Sequence, residues 1–420
     1  MKVRKTINQI KQLLSKKSLN YFLSFIFVLF LPTQLGKHFF LDFSYVNGVK
    51  IDYLAPTLYL TDIIFILLFI VNYKYFFSLF AKNKKNVWIV SAFIIINIIF
   101  AKFQLLGIYR ALKIIELVFI YIFFKKIKNW QPVLTGFFAM ACVELTLAIL
   151  QFIDKASIQN IFYFLGERSF ALSTSGIAKV YILGREFLRS YATFSHPNSM
   201  GAFYLLTYFF FLTCDIFTDK KMKKRLLVVS SCLIFLSFSK TMIALYCLLN
   251  LFYVIRKTDK KRLFWIVRMI PVFIIGGFLV GMKTDPLSLE KRLAVYQNSL
   301  SIIANNLLLG VGLNHYLIYQ ANYPIKYSYF FLQPVHNIIL LTASETGVIF
   351  TIYLLYLLLT KNRSKFLTDI SFLICFSVVA LSGMVDHYWL TLQQNWLLIG
   401  VIFGLLNNKE IQIMRDGPKP

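Results

Sequence analysis

Long apolar runs separated by short polar breaks dominate this chain. A helix needs about 20 predominantly apolar residues to cross the hydrocarbon core of a bilayer. Runs near that length recur at roughly 21–36, 57–73, 87–101, 105–124, 131–153, 199–217, 226–239, 241–255, 263–282, 336–359, 367–385 and 388–406. The fourth carries Arg110, Lys113 and Glu116, and the seventh and eighth are short. Lipid satisfies no exposed backbone group, and a helix satisfies its own. The pattern therefore predicts an all-α polytopic integral membrane protein of about 12 transmembrane helices.

The longest polar interruption is the 53-residue stretch Lys283–Val335. Asp285-Pro286 opens it as an N-cap followed by proline at the first helical position. Leu289, Leu293, Tyr296, Leu300, Ile303 and Leu307 then recur every three or four residues, which predicts an amphipathic helix. Asn305-Asn306 and Gly310-Val311-Gly312 end it. An aromatic run follows (Tyr316, Tyr319, Tyr323, Tyr327, Tyr329, Phe330, Phe331), and Pro334-Val335-His336-Asn337 starts the next apolar helix. The expectation is a segment that caps a site on the outer face of a membrane, with His336 at its base.

Charge orients the spans. The net charge of +27 raises the question of nucleic acid, but its distribution answers to a membrane. With the N-terminus inside, 29 Lys and Arg fall on inner segments and 13 on the longer outer ones. Lys220 to Arg225 and Arg256 to Arg262 carry most of this bias, which follows the positive-inside rule. Both termini are expected in the cytoplasm. Residues 1–20 read as a basic lead without a signal-peptide cleavage site, 21–406 as one transmembrane domain, and 407–420 as a cytoplasmic tail. Two large loops, 154–198 and 283–335, then lie outside. The five cysteines all fall in apolar runs and none forms a C-x-x-C, so they read as core residues.

Basic residues on the outer side break the rule and so carry information. Arg189 lies in the first large loop, Arg292 in the second, and Lys240 at the outer turn Ser237-Phe238-Ser239-Lys240-Thr241. A cation beside the apolar region has a partner or a function. Guanidinium grips phosphate with two hydrogen bonds, so an anionic ligand is one reading and snorkelling to lipid headgroups the other. Arg110, Lys113 and Glu116, at spacings of three, are expected to pair with one another. Asn198, after His196-Pro197, is positioned to cap the sixth span. There is no P-loop, no H-E-x-x-H, no G-x-S-x-G and no D-x-D pair of the kind that clamps a metal for nucleotide sugars. No metal or cofactor is expected.

Four stretches together resemble the O-antigen ligase and O-antigen polymerase superfamily of bacterial membrane glycosyltransferases. They are Arg189 to Asn198, with its His-Pro-Asn at a helix start; Phe238-Ser239-Lys240-Thr241; Arg292 to Gly312, an arginine helix ending in Gly-x-Gly; and His336-Asn337 followed by Glu345-Thr346-Gly347. The resemblance covers about residues 130–406. Lys240 departs from the family's usual arginine, and Ala192 stands where a glycine is often found.

The resemblance implies metal-independent, inverting glycosyl transfer for surface polysaccharides such as lipopolysaccharide, at the outer face of the cytoplasmic membrane. The donor would be an oligosaccharide on a polyprenyl (undecaprenyl) diphosphate, and the acceptor a glycan, lipid or protein. In that setting His336 is the expected general base, with Arg189, Lys240 and Arg292 binding the diphosphate. His196, Asn198 and Asn337 are supporting candidates. Glu345 lies nine residues beyond His336, about 13.5 Å along a helix, and is expected to be structural. A lipid-linked oligosaccharide flippase is the alternative; the absence of an internal repeat and the clustering of polar groups on one face count against it.

Overall fold

The computed structural model describes residues 16–82, 84–182, 184–214, 217, 219–256, 274, 276–277, 281, 287–323 and 332–408. The protein is mostly helical, as its apolar runs predict. α1 (Lys16–Leu29) leads into four short strands, β1 (Gly36–His38), β2 (Tyr45–Val46), β3 (Val49–Lys50) and β4 (Thr57–Tyr59). Then come α2 (Leu60–Lys82), α3 (Lys84–Phe100), α4 (Gln104–Lys126) and α5 (Gln131–Asp154). The hairpin β5 (Lys179–Ile182) and β6 (Arg185–Leu188) precedes α6 (Pro197–Thr213), α7 (Lys220–Leu236) and α8 (Lys240–Arg256). α9 (Leu287–Asn305) and α10 (Tyr316–Gln320) lead to α11 (Ile338–Thr346), α12 (Val348–Lys361) and α13 (Arg363–Thr368). α14 (Ile370–Gly383), α15 (Tyr388–Thr391) and α16 (Gln393–Leu406) complete the series. The strands pair antiparallel, β1 with β4, β2 with β3 and β5 with β6, and sit in the loops on either side of α2–α5.

Among the described residues, two helical stretches, Leu60–Phe77 and Gln131–Asp154, are long and apolar enough to cross a membrane. Lys85–Phe100, α12, α14 and α16 are apolar but shorter. The expected span 263–282 lies outside the continuously described residues, as do Asp285-Pro286 and the aromatic positions 327–331.

α6 forms the centre of the main core. Met200, Phe203, Leu205, Leu206, Phe209, Phe210 and Phe211 are fully buried, so this helix is apolar on every side and surrounded on every side. α7, α14 and α16 pack on it, and α4 packs along α16. One charged group inside the bundle is tightly paired. Lys113 meets Asp62 at 2.6 Å and Glu116 at 3.6 Å, and the Gln393 amide donates to Asp62 at 2.6 Å. The expected pairing within Arg110, Lys113 and Glu116 thus holds for the last two. Arg110 turns away to donate to the Leu390 carbonyl at 2.7 Å and to stack on Trp396. Glu144 of α5 accepts from the Thr193 amide and bonds to its hydroxyl, tying that helix to the segment before α6.

Two expected spans are interrupted. The run 336–359 breaks at Gly347, whose φ is +79°, and 388–406 breaks at Leu392 between α15 and α16. The first break has a clear cause: the loop after α9 docks its backbone there. The Val311 amide donates to Ser344, that of Gly312 to Glu345, and that of Val348 to Leu307. A Cβ on Gly347 would stand 2.2 Å from the Leu308 carbonyl oxygen. The Gly-Val-Gly segment therefore does more than end a helix.

α9 forms where the periodicity places it, but its apolar stripe faces outward. Leu289, Leu293, Tyr296, Leu300 and Leu307 are between 44% and 65% exposed. Val295, Ser299 and Ile302 are buried instead, Val295 and Ile302 in a second core with Tyr316, Leu317 and Leu341.

Candidate active site

The groups that carry chemistry converge on one turn, Met384 to His387, between α14 and α15. Three neighbours hold its backbone and side chains. Arg292, from α9, donates to the Val385 carbonyl at 3.3 Å. Asn337, which caps α11 by accepting from the Ile339 and Leu340 amides, donates its own amide to the Met384 carbonyl at 3.2 Å. Asn198, in the first turn of α6, donates to the Asp386 carboxylate at 3.0 Å and accepts from Arg189 at 2.6 Å. Arg189 in turn donates its Nε to the Ser237 carbonyl at 2.9 Å. Lys240 begins α8 at the end of that same turn.

His336 stands immediately before this helix cap and faces the turn. The His336 and His387 rings meet edge to face with centroids 5.1 Å apart. One ring nitrogen of each and one Asp386 carboxylate oxygen all lie within 4.8 Å of one another. His387 is fixed by Nδ1 on the Thr391 hydroxyl at 2.7 Å and by the edge of Tyr53. His336 Nδ1 is buried and has no hydrogen-bond partner among the described residues. A buried ring nitrogen without a partner is an exception to the rule that buried polar groups are satisfied, which marks His336 for a role beyond packing.

Electrostatics separate the roles. Burial would raise the Asp386 carboxyl, but His387, His336, His196 and Arg292 together outweigh it and hold it down to about 2. Asp386 is therefore an anion that stays charged. His336 is lowered from its ordinary value by burial and then by Arg292, with Asp386 pulling the other way. His387 is lowered by burial to about 3. Both rings are neutral at pH 7, the form in which imidazole accepts a proton. Arg189 is lowered to about 10 by burial, so it keeps its charge at pH 7.

Two histidines and one aspartate also form a familiar metal-ligand set. Here two guanidinium groups approach the same turn, and their charge opposes a dication. Asp386 already accepts from Asn198 and from the His387 amide, and His387 Nδ1 is bonded to Thr391.

The other expected residues are sorted by position. His196, rather than Asn198, caps α6, its Nδ1 accepting from the Asn198 amide at 3.1 Å. Pro197 keeps His196 extended at φ −152°, ψ 140°, which leaves the ring over that amide. Asn198 is freed to bridge Arg189 and Asp386. Glu345 lies away from the turn, its carboxylate taking the Asn314 and Tyr316 amides and facing Arg110. Asp386 and His387 were not singled out in the sequence. The signal was present, since a lone acid and a histidine sit together at a short turn between the last two apolar runs.

The arrangement defines a class first: a helical protein with cationic groups, a fixed carboxylate and an available imidazole around one turn. Residues 226–355 match the family model described as O-antigen ligase. Lys240, Arg292, His336, Asn337 and Glu345 fall inside that match; Arg189, Asn198, Asp386 and His387 flank it. A search of curated proteins found no match to the chain. The family match supports the O-antigen ligase and polymerase superfamily that the motifs resemble, and with it a glycosyltransferase-type enzyme of polysaccharide biosynthesis.

Proposed function

We propose that the chain is a multi-pass, metal-independent, inverting glycosyltransferase at the outer face of the cytoplasmic membrane. In this reading it moves an oligosaccharide from a polyprenyl diphosphate to a glycan, lipid or protein acceptor. The supporting observation is the meeting of Arg189, Arg292 and Asp386 at one turn beside His336 Nδ1. The acceptor hydroxyl oxygen bonds to the donor's anomeric carbon as the bond from that carbon to the diphosphate oxygen breaks. The hydroxyl proton passes to His336, and the electron pair leaves with the lipid diphosphate. Arg189 and Arg292, with Lys240 nearby, stabilise the charge gained by the leaving group. Asp386 fixes the turn and favours the protonated form of His336. The direct test is transfer by the purified protein in nanodiscs with a lipid-diphosphate donor, with and without a chelator. Undiminished turnover after chelation is expected, and loss restored by a divalent ion would sink the metal-free mechanism.

The same reading makes two further predictions. Reporters fused after Lys224 and near Asn322 should lie on opposite sides of the membrane, inside and outside respectively. Both on one side would remove the site from the outer face and the twelve-span topology with it. The second concerns pH. His336 works as the neutral base and its folded value lies below the ordinary one, so the acidic limb of transfer should fall below about 6.5. Asp386 raises the His336 value, so Asp386→Asn should move that limb to still lower pH and reduce the plateau rate. A limb that stays put or moves upward would separate Asp386 from the base.

A further inference from the structure

Glu144 takes no part in the mechanism above, yet it is fully buried and forms no ion pair among the described residues. It lies within α5, a helix long and apolar enough to cross a membrane. A lone carboxylate in such a place is costly, so it is held there by a counter-charge or by a proton. The described groups around it supply no counter-charge. Glu167 is of like sign and is itself occupied by the Gln151 side chain and the Ile158 and Gln159 amides. Tyr204 is a neutral phenol.

The hydrogen bonds around Thr193 account for the proton. Thr193 Oγ1 lies 2.5 Å from Glu144 Oε1 and 2.9 Å from the Pro32 carbonyl oxygen, while the Thr193 amide donates to Glu144 Oε2 at 3.1 Å. A hydroxyl has one proton to give, and a proline carbonyl only accepts. With the Thr193 hydroxyl donating to Pro32, the shorter contact needs a hydrogen from the glutamate, which the protonated acid carries. Donation to a carboxylate instead would set the hydroxyl's lone pairs against the Pro32 carbonyl.

The joint matters because of the segment it holds. Glu144, Ala148 and Gln151 are spaced i, i+4 and i+7, so they line one face of α5. That face takes the residues after Arg189 one by one. The Ala148 carbonyl accepts from the Ser190 hydroxyl at 2.7 Å, and Gln151 Oε1 accepts from the Tyr191 and Ala192 amides at 3.0 and 2.8 Å. Glu144 takes Thr193, next to Ala192, which is held at a φ of +49°. A residue with a Cβ keeps that conformation only where its surroundings over-determine it. Three residues beyond Thr193, His196 caps α6 and leaves Asn198 to receive Arg189.

We propose that Glu144 is a neutral carboxylic acid that positions Arg189. Its proton goes to Thr193 Oγ1 and closes a joint between α5, the Arg189–Asn198 segment and the chain after α1. The proton is assigned by the hydrogen bonds alone; its effect on transfer rests on the transferase reading above and on Arg189 acting there.

Infrared difference spectroscopy of the wild type against Glu144→Gln, in nanodiscs at neutral pH, reads the proton without catalysis. The wild type should show the carbonyl stretch of a protonated, hydrogen-bonded carboxyl. The band should be absent from Glu144→Gln and move to higher frequency in Thr193→Val, where the acid loses its acceptor. Loss of carboxylate stretches in its place would overturn the proposal. Glutamine reproduces the acid's pattern of one donor and one acceptor toward Thr193, so Glu144→Gln should keep kcat within about twofold of wild type. Glu144→Ala should lower kcat about tenfold, part of the loss that removing Arg189 itself brings. In an Arg189→Ala background the same substitution should cost little more, because residues that act through one another are not additive. Fully additive losses would make Glu144 a general stabiliser of the bundle and overturn its link to Arg189. A wild type that shows the band but transfers nothing would overturn the transferase reading and keep the proton on Glu144.

Discussion

His336→Gln should bring glycan transfer down by about 10²- to 10⁴-fold, the usual contribution of a positioned general base. Glutamine keeps a hydrogen-bonding side chain of similar reach but cannot take up the hydroxyl proton. The structure gives the substitution little reason to disturb folding. His336 lies outside α11, whose cap is Asn337, and among the described residues its Nδ1 bonds to nothing that glutamine would strand. Donor binding, read as a donor-dependent shift in melting temperature, should therefore survive in His336→Gln and His336→Ala alike. Transfer by the glutamine variant at the wild-type rate would reduce His336 to an orienting group. His387 would not replace it readily, because its Nδ1 is engaged by Thr391 and its ring is boxed by Tyr53.

Arg189→Ala is the second large effect. Removing one preorganised donor from a developing anion costs about 10²- to 10³-fold in rate. Arg189 also anchors Asn198 and the Ser237 turn, so alanine removes both a charge and a brace. Arg189→Lys separates the two. Lysine restores the charge without the planar fork, so it should recover part of the rate while the protein level stays that of the wild type. Arg292→Ala touches the site through one carbonyl contact and should show the loss in rate with little change in stability. Lys240→Arg should remain active, since a fork at the turn beside Arg189 adds a phosphate donor and removes none. Near-normal transfer by both alanine variants would return these arginines to lipid headgroups.

Local sequence signals located much of this site, and each has a short-range physical basis. Polar residues that break long apolar runs locate loops, whatever the rest of the chain does. The α9 periodicity, the end of that helix at Asn305 and the start of a new one after His336-Asn337 depend on local backbone chemistry. The cations Arg189, Lys240 and Arg292 were visible because charge stands out at the ends of long apolar runs. Direction was harder to read. The leucine stripe of α9 has helical spacing whether it faces inward or outward, and only packing against Tyr316 and Leu341 made Val295 and Ile302 the buried face. Capping at His196 instead of Asn198 was likewise undecided locally, since each is placed to accept from an amide of the first turn, His196 from that of Asn198 and Asn198 from those beyond it.

The sequence by itself determined that this protein is mostly helical, where its polar interruptions fall, and which cations and which histidine deserve weight. Those are properties of runs, spacings and single residues. Tertiary structure alone decided that Asp386 and His387 complete the site. Asp386 is 188 residues from Asn198, and its charge acquires meaning only where α6, α9 and the start of α11 bring Asn198, Arg292 and His336 around it. It also decided the break at Gly347, because the cause is a backbone approach from Leu308 that no local pattern encodes. Asp62 accepts from the Tyr59 amide within its own run, but its charge found a counterpart only when α4 supplied Lys113, with Gln393 added from α16. Pairings across hundreds of residues are set by how helices pack, and packing is a property of the whole chain.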